Sequence, residues 1–529
     1  MKKALLNLPV AALLFFTASC ANPPAPAPET PSPNVVYVLS DTHRWGAMSF
    51  TQTPAVRTPH LEQLAREGVS FNRRYVNLPI CTPDRAIFLT GRWPYQQGLI
   101  ANHMALAQRV DLPDGERHRG TLAWAFKNAG YTTALFGKWH LGGNIALPGV
   151  ETSGTIRETR NALPFGFDRS VVWWGTNNHR QSKFSVDGGD EVEWEGASNA
   201  TATVEQALAW IGDVSGGDRP FFTVISLNPP HGPFHDAPEG KQSLYPDEAS
   251  LPFHPLDEVH NWESHRDYHA LISGIDDDMG RIAERLDELG LSPNTILIYT
   301  SDHGGMTGVN GIKNYGQKRN PHDESTRVPF LVRWPGKIPP GVELDTLFST
   351  IDVFPTLVAL TGVEDALAAA GTSEATASLE YVRSAAGVDL SNDILGELGG
   401  AEPDSVFLMH PTNMNNIGSG YQPIWRAVVT DDYTYAVTED GEHALWDNAE
   451  EYQGKNLVTD PETLEIRKML WSELRSWMDR AETAYTDNWF EKSPVWEIQA
   501  WNREHGLGES NDDRDIGRGY VFDLSASQP

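Results

Sequence analysis

Two stretches of the chain constrain its fold more than any other feature. "NVVYVLSD", Asn34 to Asp41, is an apolar, β-branched run that ends in polar residues, and "NTILIYTSDHGG", Asn294 to Gly305, repeats that design and reaches Asp302 near its end. A strand that is apolar on both faces needs cover on both faces, which parallel sheets flanked by helices provide. "YTTALFG" (131–137) and "PFFTVISLNPPH" (220–231) read as further strands of the same kind. Helical segments alternate with them. "TPHLEQLAREG" (58–68) predicts a helix with Thr58 as N-cap, Pro59 at the first helical position and Gly68 beyond the end. "GTLAWAFKNAG" (120–130) predicts a short helix, and "HALISGIDDDMGRIAERLDELG" (269–290) a long amphipathic one closed by Gly290. The expected fold class is α/β, with a mostly parallel central sheet sandwiched by helices. Polar clusters recur at the carboxyl ends of the strands, where open α/β sheets build their sites.

The ends of the chain differ in character. Residues 1–20 read as an export signal: Lys2 and Lys3, then "ALLNLPVAALLFF", too short to span a bilayer, then small residues and Cys20. "FTASC" resembles a bacterial lipoprotein signal with Cys20 as the lipidated residue, although Thr17 stands where Leu is usual. Residues 21–33, "ANPPAPAPETPSP", form a Pro-rich tether. The expectation is an exported protein, periplasmic or held at a bacterial outer membrane through Cys20. Residues 34–363 carry the α/β pattern and 364–400 read as a linker or insertion. Residues 401–529 read as a smaller α+β subdomain, in which "PIWRAVVTDDYTYAVTEDGEHALWDN" predicts an antiparallel sheet and "PETLEIRKMLWSELRSWMDRAE" a helix. No later run is long and apolar enough for a transmembrane helix. A formal net charge of -30 argues against a nucleic-acid partner, but leaves room for a locally basic pocket.

The chain has 2 cysteines. If Cys20 is processed, Cys81 has no partner, and a lone thiol in an exported protein is either buried inertly or used chemically. It lies in "CTPDRAIFLTGR" (81–92). Asp41 and Asp302 at neighbouring strand ends would repel one another unless a cation lay between them, so an oxygen-coordinated metal is expected there. Basic groups share the placement: Lys138 and His140 in "GKWHLGG", His231 in "NPPHGP", and Lys318 in "GQKRNPHDESTRVP". Taken singly, each of these reads first as a surface or capping residue. Together they describe a positive pocket beside a metal. "SVVWWGTNNHRQ" adds Trp174, His179 and Arg180, which either pack a loop or hold sugar rings, and His410 in "HPTNMNN" is a similar candidate from the C-terminal part.

These motifs, taken in order, resemble the formylglycine-dependent type I sulfatases, which have an alkaline-phosphatase-like fold. "CTPDRAIFLTGR" is similar to the family's Cys-x-Pro-x-Arg signature followed by Thr-Gly. "NVVYVLSDTHRWGAM", "GYTTALFGKWHLG", "NPPHGPF", "GRIAERLDELGLSPNTILIYTSDHGG" and "RVPFLVRWPG" follow the family order, and "ALWDNAEEYQGKNLV" looks like its closing motif. The resemblance implies hydrolysis of sulfate monoesters, with sulfated carbohydrates as the expected substrates. It implies oxidation of Cys81 to 3-oxoalanine (formylglycine) by a formylglycine-generating or anaerobic sulfatase-maturating enzyme, which Pro83 and Arg85 would guide. The hydrated aldehyde would offer one hydroxyl to attack sulfur and a second to expel sulfate. Asp41, Asp302 and His303 would hold the metal, Ca2+ in the first place and Mn2+ as the alternative that a His ligand favours. Thr42 stands where the family often has a further Asp or Gln, which weakens or replaces one ligand. Arg85 and Lys138 would orient the formylglycine, His140 would orient or deprotonate the diol, Lys318 would bind sulfate, and His231 would protonate the leaving alcohol. Two further departures are Asp84, where Ser or Ala is commoner, and His322, where Tyr is usual after the sulfate-binding Lys; Lys313 is the alternative to Lys318.

Overall fold

The computed structural model describes residues 32–481, apart from residues 103, 109–110, 114–115, 117, 143–162, 174–178, 196–197, 307, 310–316, 412–423 and 439–440. The expected export signal with Cys20, most of the tether, Trp174 and Lys313 lie outside the described residues. Ten strands form one sheet: β1 (Asn34–Asp41), β2 (Val69–Phe71), β4 (Thr132–Lys138), β5 (Arg169–Trp173), β6 (Gln181–Val186), β7 (Glu191–Glu195), β8 (Phe221–Pro230), β9 (Thr295–Ser301), β10 (Phe330–Arg333) and β11 (Val342–Leu344). Their spatial order is β11-β2-β10-β9-β1-β8-β4-β5-β6-β7. The centre is parallel, as expected: β1 pairs with both β8 and β9, and β4 with β8 and β5. β10, from "RVPFLVRWPG", runs antiparallel to β9 and β2. Short β3 (Arg74–Tyr75) and β12 (Phe348–Ser349) make a separate parallel pair.

β1 shows how the apolar runs are used. Val35, Tyr37 and Leu39 join the core on one face, while Val36 and Val38 join the core on the other. The first core lies under helices Cys81–Thr90, Leu122–Asn128 and Thr350–Thr361, the second under helices Asn199–Val214 and Trp262–Glu288. Tyr37 of β1 stacks on Phe88, with ring centroids 4.4 Å apart, and so fixes the Cys81 helix against the central strand. Burying a pair of such rings stabilises by several kcal/mol, about 1.5–3 for each large side chain.

One expected cap is corrected. The helix Pro59–Arg66 does begin after Thr58, but the Thr58 side chain does not cap it. The Thr58 hydroxyl accepts from Ser49 N, and the Asp276 carboxylate, 216 positions away, accepts from the His60 and Leu61 amides. A carboxylate at a helix N-terminus satisfies two orphan donors and meets the positive end of the helix dipole, where a hydroxyl satisfies one donor.

Residues 364–400, read from sequence as a linker or insertion, contain helices Ser373–Arg383 and Ser391–Leu395 and part of Val363–Ala370; Leu367, Ala375, Tyr381 and Ile394 are buried in the first core. β13 (Ser405–His410), β14 (Trp425–Thr430), β15 (Tyr433–Thr438) and β16 (Gly441–Asp447) form the expected antiparallel sheet, and helix Leu464–Ala481 follows. Asn77 ties this sheet to the site: its carbonyl accepts from Met409 N at 2.8 Å, and its amide donates to Phe407 O at 2.9 Å. Among the described residues no single helix is long and apolar enough to cross a membrane.

Candidate active site

Four elements converge at the carboxyl edge of the parallel sheet. β1 delivers Asp41 at its last residue and β9 ends immediately before Asp302 and His303. β4 ends in Lys138. Before it, Gly137 takes a φ of 96°, and a Cβ there would collide with the Ser226 carbonyl of β8, so only glycine lets the strands approach this closely. Helix Cys81–Thr90 contributes Cys81 and Arg85; all ten of its residues are buried, and Gly91 ends it in the left-handed region at φ 59°. Its N-terminus is held by Thr82, whose amide donates to Asn102 Oδ1 and whose hydroxyl donates to the His140 carbonyl.

Asp41, Asp302 and His303 are fully buried, and His303 Nε2 lies 3.5 Å from an oxygen of each carboxylate. With Cys81 Sγ they form a set whose ligand atoms all lie within 4.8 Å of one another. Cations line the other side. Arg85 Nε donates to Asp302 Oδ2 at 2.8 Å, and Arg85 Nη2 stands 3.6 Å from Asp41 with no hydrogen bond of its own. Lys138 Nζ is against Asp41 Oδ2. Lys318 Nζ is 3.0 Å from Cys81 Sγ and 2.9 Å from His303 Nε2, which is itself 3.3 Å from Cys81 Sγ. Burial pushes the Asp41 carboxyl up, but Lys138 and Lys318 outweigh it and hold the group well below the usual range, whereas burial and the Asp41 charge raise Asp302. Burial and Asp41 likewise push the Cys81 thiol up, and Lys138, Lys318 and His303 overcome both to hold it well below its ordinary value. Two buried carboxylates that repel each other beside a thiol in an electropositive niche suit a divalent cation and a reactive group at position 81.

Thr42 has φ 75°, unusual for a β-branched residue; its hydroxyl donates to Asp41 Oδ1 at 2.7 Å, and its amide reaches Asp302 Oδ1 at 3.4 Å. His140 is also left-handed, at φ 51°, and half-buried beside Thr82. His231 is half-buried, and its Nδ1–H donates to Gly232 O at 2.7 Å, which leaves Nε2 as the proton-exchanging nitrogen. Burial, then Lys318 and Lys138, push the His231 ring down to about 3 against the opposing pull of Asp41.

The aromatic-polar loop divides. His179 is fully buried, its Nε2–H donating to the His231 carbonyl at 2.7 Å and its Nδ1 accepting from Asn228 Nδ2 at 3.3 Å. It braces the His231 loop. Arg180 is at the surface, paired with Asp236 at 3.1 Å. Residue-by-residue reading passed over Asn228, which also receives Lys138 Nζ at 3.4 Å, and Ser226, which receives Arg85 Nη1 at 2.6 Å. Both lie on β8 among residues pointing into the sheet edge, a pattern visible in "ISLNPPH" once the strand is drawn. His322 packs against Trp446, ring centroids 4.5 Å apart, and its carbonyl accepts from Ser325 and Thr326 amides. Asp84 is buried and accepts from the Thr350 hydroxyl at 2.7 Å, with Arg74 Nη2 donating to the same hydroxyl at 3.1 Å.

Buried cations around two carboxylates and an activated thiol, at the edge of a doubly covered sheet, define a hydrolase for esters of tetrahedral oxyanions. The chain belongs to the sulfatase family, enzymes that hydrolyse sulfate esters: the family model described as Sulfatase matches residues 33–363. It is 32% identical over 440 residues to an ulvan-active sulfatase of Formosa agariphila, covering 82% of this chain and 78% of that one. It is 29% identical to an endo-4-O-sulfatase of Bacteroides thetaiotaomicron, covering 90% and 97%. Among solved structures, one from work on the metabolism of multiple glycosaminoglycans by Bacteroides thetaiotaomicron superposes with a TM-score of 0.71 at 25% identity, covering 88% of this chain and 99% of that one. The phosphonate monoester hydrolase of Agrobacterium radiobacter shares the fold, with a TM-score of 0.64 at 19% identity, covering 85% and 96%.

Proposed function

We propose that this protein removes sulfate from sulfated carbohydrates, using formylglycine made from Cys81 and a divalent metal. The observation that carries the reading is Cys81 Sγ, 3.0 Å from Lys318 Nζ and 3.3 Å from His303 Nε2, within one ligand set with Asp41 and Asp302. The Sγ atom stands where a formylglycine oxygen would be. The donor set fits the group: two carboxylates and one imidazole, with the Thr42 hydroxyl already hydrogen-bonded to Asp41 Oδ1, suit Ca2+, and the imidazole keeps Mn2+ open. When both groups are in place, the metal polarises sulfate oxygens and the hydrated aldehyde supplies a hydroxyl nucleophile together with the hydroxyl that later releases sulfate.

The side chains account for the rest. Arg85 orients residue 81 and keeps a spare donor at Nη2. Lys138 and Lys318 offset the charge that builds on the transferring group. His140 orients or deprotonates the attacking hydroxyl. His231 Nε2 delivers the proton to the leaving alcohol. Its resting ring is neutral at pH 7, because burial and then the two lysines hold its proton affinity down, and the incoming sulfate offsets the lysines. The carbohydrate assignment is supported by the names of the relatives from Formosa and Bacteroides.

The test is sulfate release from a panel of sulfated poly- and oligosaccharides by protein whose conversion at residue 81 is verified by intact mass, alongside sulfate, phosphate and phosphonate esters of one alcohol. Sulfate release from saccharides that chelation abolishes and Ca2+ restores is the expected result. Preferential hydrolysis of phosphonate esters, or full activity with an unmodified thiol, overturns the reading. We further infer a maturating enzyme as partner, and export with a lipid anchor at Cys20. These are supported by "CTPDRAIFLTGR" and by Lys2, Lys3 and the apolar run ahead of Cys20. Cys20→Ser moving the protein from membrane to soluble fraction is the expected result, and unchanged membrane attachment removes the anchor.

A further inference from the structure

The neighbours His179 and Arg180 grip the segment that carries His231 at two points. His179 Nε2–H donates to the His231 carbonyl at 2.7 Å. Arg180 donates to the His235 carbonyl at 3.3 Å and pairs with Asp236 at 3.1 Å. His179 is itself fixed, since its own carbonyl accepts at 2.8 Å from the amide of Asn199, the first residue of helix Asn199–Val214. The His231 amide donates to the Asn228 carbonyl at 3.0 Å, so the backbone of His231 is held on both sides of its Cα. Its ring is turned by the bond from Nδ1–H to Gly232 O.

These contacts admit one direction of donation. A carbonyl only accepts, so the His179 proton sits on Nε2 and Nδ1 keeps its lone pair. Burial lowers the proton affinity of the ring, which stays neutral at pH 7. Asn228 must then turn its Nδ2 to His179 Nδ1, at 3.3 Å, and its Oδ1 to Lys138 Nζ, at 3.4 Å. Lys138, Asn228, His179 and His231 thus form a chain in which each donates to the next. It joins the ammonium beside Asp41 to the backbone under the proton donor. Reversing the amide or the tautomer sets two donors face to face. We propose that His179 is a positioning residue for the hydrolysis, which, together with Asn228, holds His231 Nε2 where the leaving oxygen takes its proton. The proposal rests on the assignment of His231 as that proton donor. A displacement of about 1 Å in such a group can cost about 10²-fold in rate.

The experiment uses full-length protein converted at residue 81 and two small esters, 4-nitrophenyl sulfate and phenyl sulfate. Nitrophenolate leaves readily without a proton, whereas phenolate, the poorer leaving group, gains from one. His231→Gln is the reference, and it lowers kcat at least about tenfold more on phenyl sulfate than on the nitrophenyl ester. His179→Asn, which loses the donor to the His231 carbonyl, shows the same selectivity at about three- to tenfold. His179→Gln, whose amide can reach that carbonyl, restores most of the loss. Equal losses on the two esters from His179→Asn, with His231→Gln selective, assign His179 a structural role and overturn the proposal while the proton donor stands. If His231→Gln is itself unselective, the donor assignment has failed and the proposal falls with it. Should neither ester turn over, the nitrogen spectrum of histidine-labelled protein decides, with His179→Asn identifying the His179 signals. A neutral ring protonated at Nε2 upholds the chain of donors, and a proton on Nδ1 or on both nitrogens overturns it.

Discussion

The carboxyl edge of the parallel sheet buries charged groups around one point, whereas the four-stranded C-terminal sheet buries mainly apolar side chains. At the edge, Asp41, Asp302 and His303 are 0% exposed, Arg85 3% and Lys138 4%. In the C-terminal sheet, Trp425, Ala427 and Val429 pack into one apolar cluster, and Phe407, Met409 and Val428 into another. Burying charge costs several kcal/mol per ion unless partners restore it, so the edge is favourable only as a completed set. Burying aliphatic and aromatic surface is favourable residue by residue. Reactivity is therefore concentrated where burial is expensive, and shape is supplied where it is cheap.

The largest test removes the reacting atom. Cys81→Ala lowers sulfate release by at least about 10⁴-fold while the fold persists, because the nucleophile and its activators act as a unit; circular dichroism beside the assay separates the two effects. His231→Gln comes next, with kcat down about 10²–10⁴-fold. Since the wild-type ring must regain a proton from a resting value of about 3, its kcat falls as pH climbs above the substrate-raised value, and the variant lacks that descending limb. A pH–rate profile shows whether it does.

Phe407→Ala attacks the other region. It removes a buried ring stacked on Trp477 and costs about 3–5 kcal/mol in denaturant unfolding, with kcat well below the transition largely retained. A collapse of kcat without loss of stability would erase the division between the two regions. The smallest effect concerns Asp84 of the Cys81 helix, bonded to Thr350. Burial pushes its carboxyl up to about 8, so the folded state binds a proton that the unfolded chain releases near 3.8. Its stabilisation is complete below the unfolded value and is lost as pH rises through about 8, with a slope of roughly 1 kcal/mol per pH unit. Asp84→Asn keeps the hydrogen bond to Thr350 and flattens that slope between pH 6 and 8, read from unfolding midpoints.

Much of the active edge was legible in the primary sequence, because apolar β-branched runs mark doubly covered strands and the polar residues just past them have one place to go. Asp41, Lys138, Asp302 and His303 are all of this kind, and they converge. What escaped was long-range pairing. Asp276 rather than Thr58 satisfies the helix at Pro59, and nothing local marks a carboxylate 215 positions from Leu61. His179 looks like a sugar contact in its loop, but its ring bridges Asn228 and the His231 carbonyl, both fixed by β8. The antiparallel direction of β10 is likewise set by its neighbours, since a buried strand reads the same in either direction.

The Asn77 stitch has a consequence for biosynthesis. Its side chain meets a partner 330 positions later, four residues upstream of the reactive thiol. A growing chain has no mate for that amide until its final quarter leaves the ribosome. Until then only the other end of the same side chain is engaged, Asn77 Oδ1 accepting from the Ile351 amide at 2.8 Å, so the late sheet completes the packing of the segment that leads into residue 81.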